Sequence, residues 1–128
     1  MNTAQLLIHA NIARNKAKAP YTDYSVGAVV ECQDGSLYYG ANIEASCSSC
    51  GICAERLALA NAAMNGKQPK TIAIIGDAKS PLTPCGTCRQ FMIDFTPLKV
   101  ILANTKGNTK FTTANKLLPL KFERRKKQ

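Results

Sequence analysis

The sequence is short of most things that mark a membrane, secreted or polynucleotide-binding chain. No apolar run approaches the ~20 residues that a membrane-spanning helix needs. The opening residues, MNTAQLLIHANIARNK, lack a basic start, an apolar block and a small-residue cleavage site in succession. No signal peptide is expected, and a cytoplasmic location is the default. Tryptophan is absent, and aromatics make up only 6% of the chain. Without an aromatic strip or large insertions, polynucleotide editing is not expected. There is one histidine, His9, inside a predicted helix, where a partly exposed surface side chain is its simplest role. Acidic residues are few, 8 against 17 Lys and Arg, for a net charge of +9. Five of those basic residues fall in the last eight, KFERRKKQ. Such a tail can serve as a nucleic-acid arm. Lacking interleaved aromatics and low-complexity repetition, it reads more simply as a solvated end.

At 128 residues the chain predicts one domain, residues 1–122, followed by the basic tail 123–128. A chain this long buries about two thirds of its unfolded surface and needs no disulfide staple. Six cysteines are present. In a reducing compartment they are better read as ligands or catalytic groups than as a disulfide framework.

The pattern alternates helix and strand. Residues 3–17 predict a helix, with Thr3 as cap and Pro20 beyond its end. SVGAVVEC (25–32) and LYYGANIE (37–44) predict strands joined by a QDGS hairpin, and Gly27 suggests close backbone approach. After a small-residue loop (45–52), a helix runs from about Cys53 to Asn65. TIAIIGD (71–77) and LKVILAN (98–104) predict buried strands. Between them a helix begins near Cys85 and ends before Pro97. FTT (111–113) can add a short strand and TANKLLPL (113–120) a last helical turn. Helices alternating with apolar strands predict an α/β fold with helices on both faces of a sheet.

The unusual chemistry lies in ICAERLALANAA (52–63) and PCGTC (84–88). Cys53, Cys85 and Cys88 all open predicted helices, whose positive ends favour thiolate over thiol. Two helices on one face of the sheet can bring the three sulfurs together. Zinc takes thiolates at about 2.3 Å in a tetrahedron, so three protein ligands leave one corner for water, as in catalytic sites. Cys47 and Cys50 offer a rival reading, a closed four-cysteine site or an iron–sulfur cluster. The cysteine-then-proline ending of the bacterial ferredoxin pattern is missing, which argues against the cluster. Cys32 reads as a buried strand thiol. Three thiolates overcompensate a divalent ion, and Arg56 or Arg89 can offset the excess by hydrogen bonding to sulfur. Glu55, two residues past Cys53, is placed to move a proton without ligating the metal.

The ordered pair CAER and PCGTCRQ resembles the small zinc-dependent cytidine deaminases, whose signature includes a glutamate that is not a metal ligand. APYTDYSVGA, GANIE and LLPLKF are similar to further stretches of that family, so the resemblance covers about residues 19–122. It implies a three-layer α/β/α sandwich with a five-stranded mixed sheet. It also implies a homotetramer whose active sites are completed by neighbouring subunits. Cys53, Cys85 and Cys88 then match the ligands of Zn2+, Glu55 the proton shuttle and Arg56 the neutralising arginine. Tyr24, Asn42, Glu44, Ala54 and Phe122 match substrate contacts. The implied reaction is hydrolytic deamination of cytidine and deoxycytidine, as in pyrimidine salvage. Three departures bear on the substrate: Tyr24 in place of a phenylalanine, ASCS (45–48) with Ser48 in place of a tyrosine, and Leu120 in place of a glycine. They leave room for a modified cytosine nucleoside or a nucleoside antibiotic such as blasticidin S. A non-catalytic, zinc-stabilised RNA-binding module is a third reading, though Glu55 has no use in it.

Overall fold

The computed structural model describes residues 1–126. Helix α1 spans Thr3–Arg14. Its cap is Asn2 rather than Thr3: the Asn2 side chain accepts from the Gln5 amide, and the Gln5 side chain accepts from the Asn2 amide. This reciprocal box satisfies two of the helix's unpaired donors. The helix also stops short of Ala17. Lys18 instead donates to the Asn42 carbonyl at 2.9 Å and forms a bridge with Ile43. Pro20 biases the residue before it towards extended backbone, which suits that exit.

Five strands follow the expected order: β1 (Val26–Cys32), β2 (Leu37–Ala41), β3 (Pro69–Gly76), β4 (Lys99–Asn104) and β5 (Thr109–Thr113). In space they run β2-β1-β3-β4-β5. Only the β3–β4 pair is parallel, so the sheet is mixed. The predicted second strand was too long, because Asn42 leaves the ladder and Ile43 bridges to Ile52. The short FTT segment extends back to Thr109 and pairs with β4 as a full edge strand.

Alternation divides the strand residues between two cores. Ala28, Val30, Ile72, Ile74, Val100 and Leu102 face one side. There they meet helix α2 (Ala54–Met64) and helix α3 (Gly86–Met92). Val29, Ala73, Ile75, Ile101 and Ala103 face the other side, against Leu6 and Ala10 of α1. Each fully buried Ile or Leu contributes about 1.5–3 kcal/mol. Covering both faces explains why all seven residues of β1 are buried. The result is the three-layer α/β/α arrangement. A last helical turn, α4 (Ala114–Leu117), packs on the α3 side.

Two glycines set the layer spacing. A β-carbon at Gly27 would collide with the Ala10 carbonyl and the Arg14 backbone of α1. One at Gly40 would collide with the Ala54 carbonyl and lie 2.5 Å from the Ala58 nitrogen of α2. The alanine richness of α2 serves the same end. Ala54, Ala58 and Ala62 recur every fourth residue and are fully buried. A stripe of methyl groups lets the helix sit close over β2 and β1. Among the described residues, no helix is long and apolar enough to cross a membrane.

Candidate metal and catalytic site

Cys53 is the residue before the first turn of α2, and Cys85 holds the same position before α3. Neither side chain caps its helix. The sulfurs are thus free to point elsewhere, and with Cys88 of α3 they converge within 4.8 Å of one another. Cys85 and Cys88 sulfurs are 3.6 Å apart. A tetrahedral ion bonded to sulfur at about 2.3 Å requires ligands about 3.8 Å apart. The donor set therefore fits zinc in both identity and spacing. Cys88 is buried, Cys53 half-buried and Cys85 exposed, which gives the cluster an open side.

The electrostatics favour an anionic sulfur at Cys53. The Cys53 thiol is pulled down to about 5, chiefly by hydrogen bonding from Cys88 and then by Arg56, with burial opposing. Cys88 is raised by that same bond, by burial and by Glu55. Burial works against the Arg56 charge, but the Cys53 and Cys88 sulfurs outweigh it and raise its pKa. Its Nη2 donates to the Gly51 carbonyl at 3.4 Å. Among the described residues its buried Nε has no hydrogen-bond partner, as expected of a guanidinium set to face anionic sulfur.

Arg89 behaves differently from the sequence reading. Its Nε donates to the Pro84 carbonyl at 2.9 Å and its Nη1 to the Leu117 carbonyl at 3.1 Å. It braces the loop before Cys85 against α4 instead of donating to the sulfurs. Only α2 puts an arginine in the first turn, facing the cluster.

Glu55 lies in the first turn of α2 and is only 4% exposed. Burial raises its carboxyl pKa, and the Cys53 thiolate adds to the effect. A carboxyl so placed takes up and gives back a proton more readily than a surface one. Tyr24 stands nearby. Burial raises its phenol first, then the charges of Asp77 and Glu55. Its hydroxyl occupies space that a side chain at Gly76 would need.

The remaining predicted contacts are placed in different ways. The Asn42 side chain donates to the Tyr24 carbonyl and accepts from the Val26 amide, both at 2.8 Å. It thereby fixes the chain that carries Tyr24. The Glu44 carboxylate accepts from the Tyr21 amide at 2.9 Å, the Thr22 amide at 3.1 Å and the Thr22 hydroxyl. These bonds hold its pKa below the usual value, the Thr22 hydroxyl contributing most. Ala54 is fully buried, its carbonyl against Gly40. Phe122 is 72% exposed and far from buried among these groups. Its backbone is clamped by the Gln90 side chain, which donates to its carbonyl at 3.0 Å and accepts from its amide at 3.1 Å.

Cys47 and Cys50 are exposed and do not join the three-sulfur cluster, so the closed four-cysteine reading is set aside. Cys32 is a buried strand thiol as expected. His9 meets the Tyr39 hydroxyl at 2.8 Å on the surface. Lys127 and Gln128 of the basic tail lie outside the described residues. The sequence reading missed the roles of Thr22, Gly76 and Gln90. All three lie in stretches quoted above, APYTDYSVGA, TIAIIGD and PCGTCRQ, but nothing in those stretches names their partners.

Comparison with known proteins agrees with this geometry. The family described as cytidine and deoxycytidylate deaminase zinc-binding region matches residues 1–104. A cytidine deaminase of Sporosarcina psychrophila is 39% identical over 97% of the chain and 93% of its own length. A blasticidin-S deaminase of Bacillus cereus is 30% identical over 88% of the chain and 89% of its own length. The crystal structure of a cytidine deaminase from Burkholderia pseudomallei superposes with a TM-score of 0.92 at 38% identity. It covers 95% of this chain and 100% of that one.

Proposed function

The chain belongs to the cytidine and deoxycytidylate deaminase family, and from that premise we propose that it hydrolyses the amino group from cytidine and deoxycytidine, giving uridine and deoxyuridine. The observation that carries the reading is a nearly buried glutamate, Glu55, two residues beyond one of three sulfurs that lie within 4.8 Å of one another. Cys53, Cys85 and Cys88 would hold Zn2+. When bound, the metal supplies Lewis acidity and brings the pKa of water at its open position towards neutrality.

The residues of the chain do the rest. Glu55 accepts a proton from the attacking water at a carboxylate oxygen and returns it to the ring nitrogen. With the water oxygen bonded to carbon 4, Glu55 takes the remaining proton from that new hydroxyl and passes it to the amino group, so that the carbonyl forms as the bond from carbon 4 to nitrogen breaks and ammonia leaves. Its raised pKa suits both directions of transfer. Arg56 offsets the negative charge of the sulfurs. Tyr24 lies against the base, and Ala54 presents backbone at the head of α2. Asn42 keeps one amide hydrogen beyond its bond to Tyr24, and Glu44 keeps acceptor capacity, so both can meet sugar hydroxyls.

Phe122 supports a shared site. An aromatic left exposed while its backbone is held at two points is suited to a neighbour's pocket. The reading therefore includes a homotetramer, a single domain over 1–122 with a basic tail, and residence in the cytoplasm. Light scattering of the eluting protein measures the assembly.

The reaction is tested by the ultraviolet change on incubating zinc-loaded protein with cytidine. Wild type should turn over, and Glu55→Gln should lose at least about 100-fold while keeping its zinc. Normal turnover by that variant refutes the assigned proton carrier. The Tyr24 hydroxyl, together with the likeness to a blasticidin-S deaminase, supports a second substrate reading within the same chemistry. A panel of cytidine, deoxycytidine, amino-substituted cytidines and blasticidin S decides between them by kcat/KM.

A further inference from the structure

Three strand glycines leave no room for a side chain, and they are not alike. A β-carbon at Gly27 or Gly40 meets helix backbone. At Gly76 it would meet the hydroxyl of Tyr24 and lie 3.1 Å from the ring carbon that bears it. The next neighbour, a Leu82 methyl carbon at 3.6 Å, is an ordinary contact. The backbone of Gly76 makes no demand of its own. The residue pairs in register with Val26 on one side and Asn104 on the other. Positive φ values belong to Gly35, Gly66 and Gly107, not to Gly76. Any L-residue can hold such a strand conformation. The glycine at 76 is therefore required by Tyr24 alone.

Position 76 lies on the site side of the sheet. Alternation along β3 groups it with Ile72 and Ile74, on the face that meets α2 and α3. Gly76 is buried, and Tyr24 is half-buried against the same core.

Hydrogen bonds fix the other end of Tyr24. Its amide donates to the Thr22 hydroxyl at 3.1 Å, and its carbonyl accepts from Asn42 at 2.8 Å. The Thr22 hydroxyl in turn donates to Glu44. The backbone of Tyr24 is thus set by the two residues assigned to the sugar. The phenol is held differently. Among the described residues, no hydrogen bond involves its hydroxyl. Only the space over Gly76, flanked by Leu82, decides where the ring stops. Close packing makes that stop sharp, because an added methyl group is accommodated only by moving a side chain.

We propose that Gly76 is a positioning residue for Tyr24: lacking a β-carbon, it takes in the phenol hydroxyl and fixes the angle at which the ring meets the pyrimidine. This role rests on the deamination proposed above. A methyl group at 76 expels the hydroxyl and displaces the wall against the base, while the sulfurs and Glu55 keep their places. The loss falls on substrate binding more than on turnover. Tyr24→Phe removes the atom that fills the space and frees position 76 to carry a methyl group. The pair holds either a hydroxyl on residue 24 or a β-carbon on residue 76. The contact is made inside one chain, between buried and half-buried groups, and owes nothing to exposed surface.

The test is a double-mutant cycle on zinc-loaded protein: wild type, Gly76→Ala, Tyr24→Phe and the double variant. Each is assayed by steady-state kinetics on the panel nucleoside that wild type turns over best. Gly76→Ala should raise KM about tenfold and leave kcat within about threefold. In the Tyr24→Phe background the same change should raise KM by no more than about threefold, since only the ring carbon remains in the way. Zinc content should be equal in all four. An equal KM penalty in both backgrounds, or a loss confined to kcat, would overturn the proposal. Should Gly76→Ala fold too poorly to assay, recovery of folding and turnover in the double variant supports the pairing, and a double variant that also fails overturns it. If wild type turns over no nucleoside of the panel, the deamination itself fails. The pairing is then read from the denaturant midpoints of the same four proteins, where equal losses in both backgrounds sink it.

Discussion

Gln90 grips the backbone of Phe122 with both ends of its side-chain amide, at 3.0 and 3.1 Å. Gln90 is two residues past Cys88, so the exposed aromatic is tied to the helix that carries a sulfur of the cluster. Gln90→Ala removes two hydrogen bonds, each contributing about 0.5–1.5 kcal/mol. If Phe122 completes a neighbour's pocket, KM for cytidine should rise about tenfold while kcat stays within about twofold. Gln90→Glu keeps the acceptor and loses the donor, and should fall between. Steady-state kinetics separate the two constants, and an unchanged KM would break the link between clamp and substrate.

Arg56 is the cation beside the sulfurs, and among the described residues its Nε has no hydrogen-bond partner. Arg56→Gln keeps most of the volume and removes the charge. Zinc affinity should drop by about 10- to 100-fold, the usual cost of losing a group that supports a ligand. Competition with a chromophoric chelator reads this directly. The same change at Arg89 should act on stability more than on affinity, since Arg89 binds carbonyls.

Gly40→Ala should be costly for so small a change. The new methyl group meets the Ala54 carbonyl and the Ala58 nitrogen, both fixed backbone. Overpacking of this kind costs about 1–3 kcal/mol. Denaturant unfolding should show the loss, and activity should fall further than stability because Ala54 precedes Glu55. Gly66→Ala is the control: nothing lies within 4 Å of its β-carbon, although its φ of +68° keeps some strain.

Asp34 and Lys67 pair at 2.8 Å on the surface, and Asp34 also accepts from Ser36. The Lys67 bond is the main cause that lowers the Asp34 pKa, and the same bond raises that of Lys67. The carboxylate therefore contributes stability above its unfolded pKa of about 4, and that contribution is lost as pH falls through its lower folded value. The lysine contributes below its unfolded value of about 10.4 and loses its contribution as pH climbs through its raised folded one. Asp34→Asn should lower Tm slightly at neutral pH. The gap to wild type should shrink at pH about 2–3 and again in high salt. A gap unchanged by acid would mean that the turn, not the charge, carries the effect.

Much of this was legible in the residues. The strands of the centre announced themselves because they are apolar on both faces, and β3 and β4 fell where TIAIIGD and LKVILAN predicted. The three sulfurs were legible because each opens a helix, which fixes its direction. Most of what escaped depended on distant partners, though the first miss was local. Thr3 looked like a cap, but Asn2 has Gln5 to complete a box. Ala17 fitted the helical spacing, but Lys18 is drawn into a bridge 25 residues away, with Ile43. Spacing alone allowed either Arg56 or Arg89 to offset the sulfur charge, the resemblance favoured Arg56, and the bonds of Arg89 to the Pro84 and Leu117 carbonyls agree with that choice. The clamp by Gln90 could not be read at all, because its partner is a backbone 32 residues on.

Cys53 and Cys85 stand at the heads of two different helices, with a whole central strand of chain between them. An ion shared by those heads is a removable staple as well as a reagent. Removing that ion should therefore loosen the hold between the two helix heads and raise the protein's susceptibility to proteolysis.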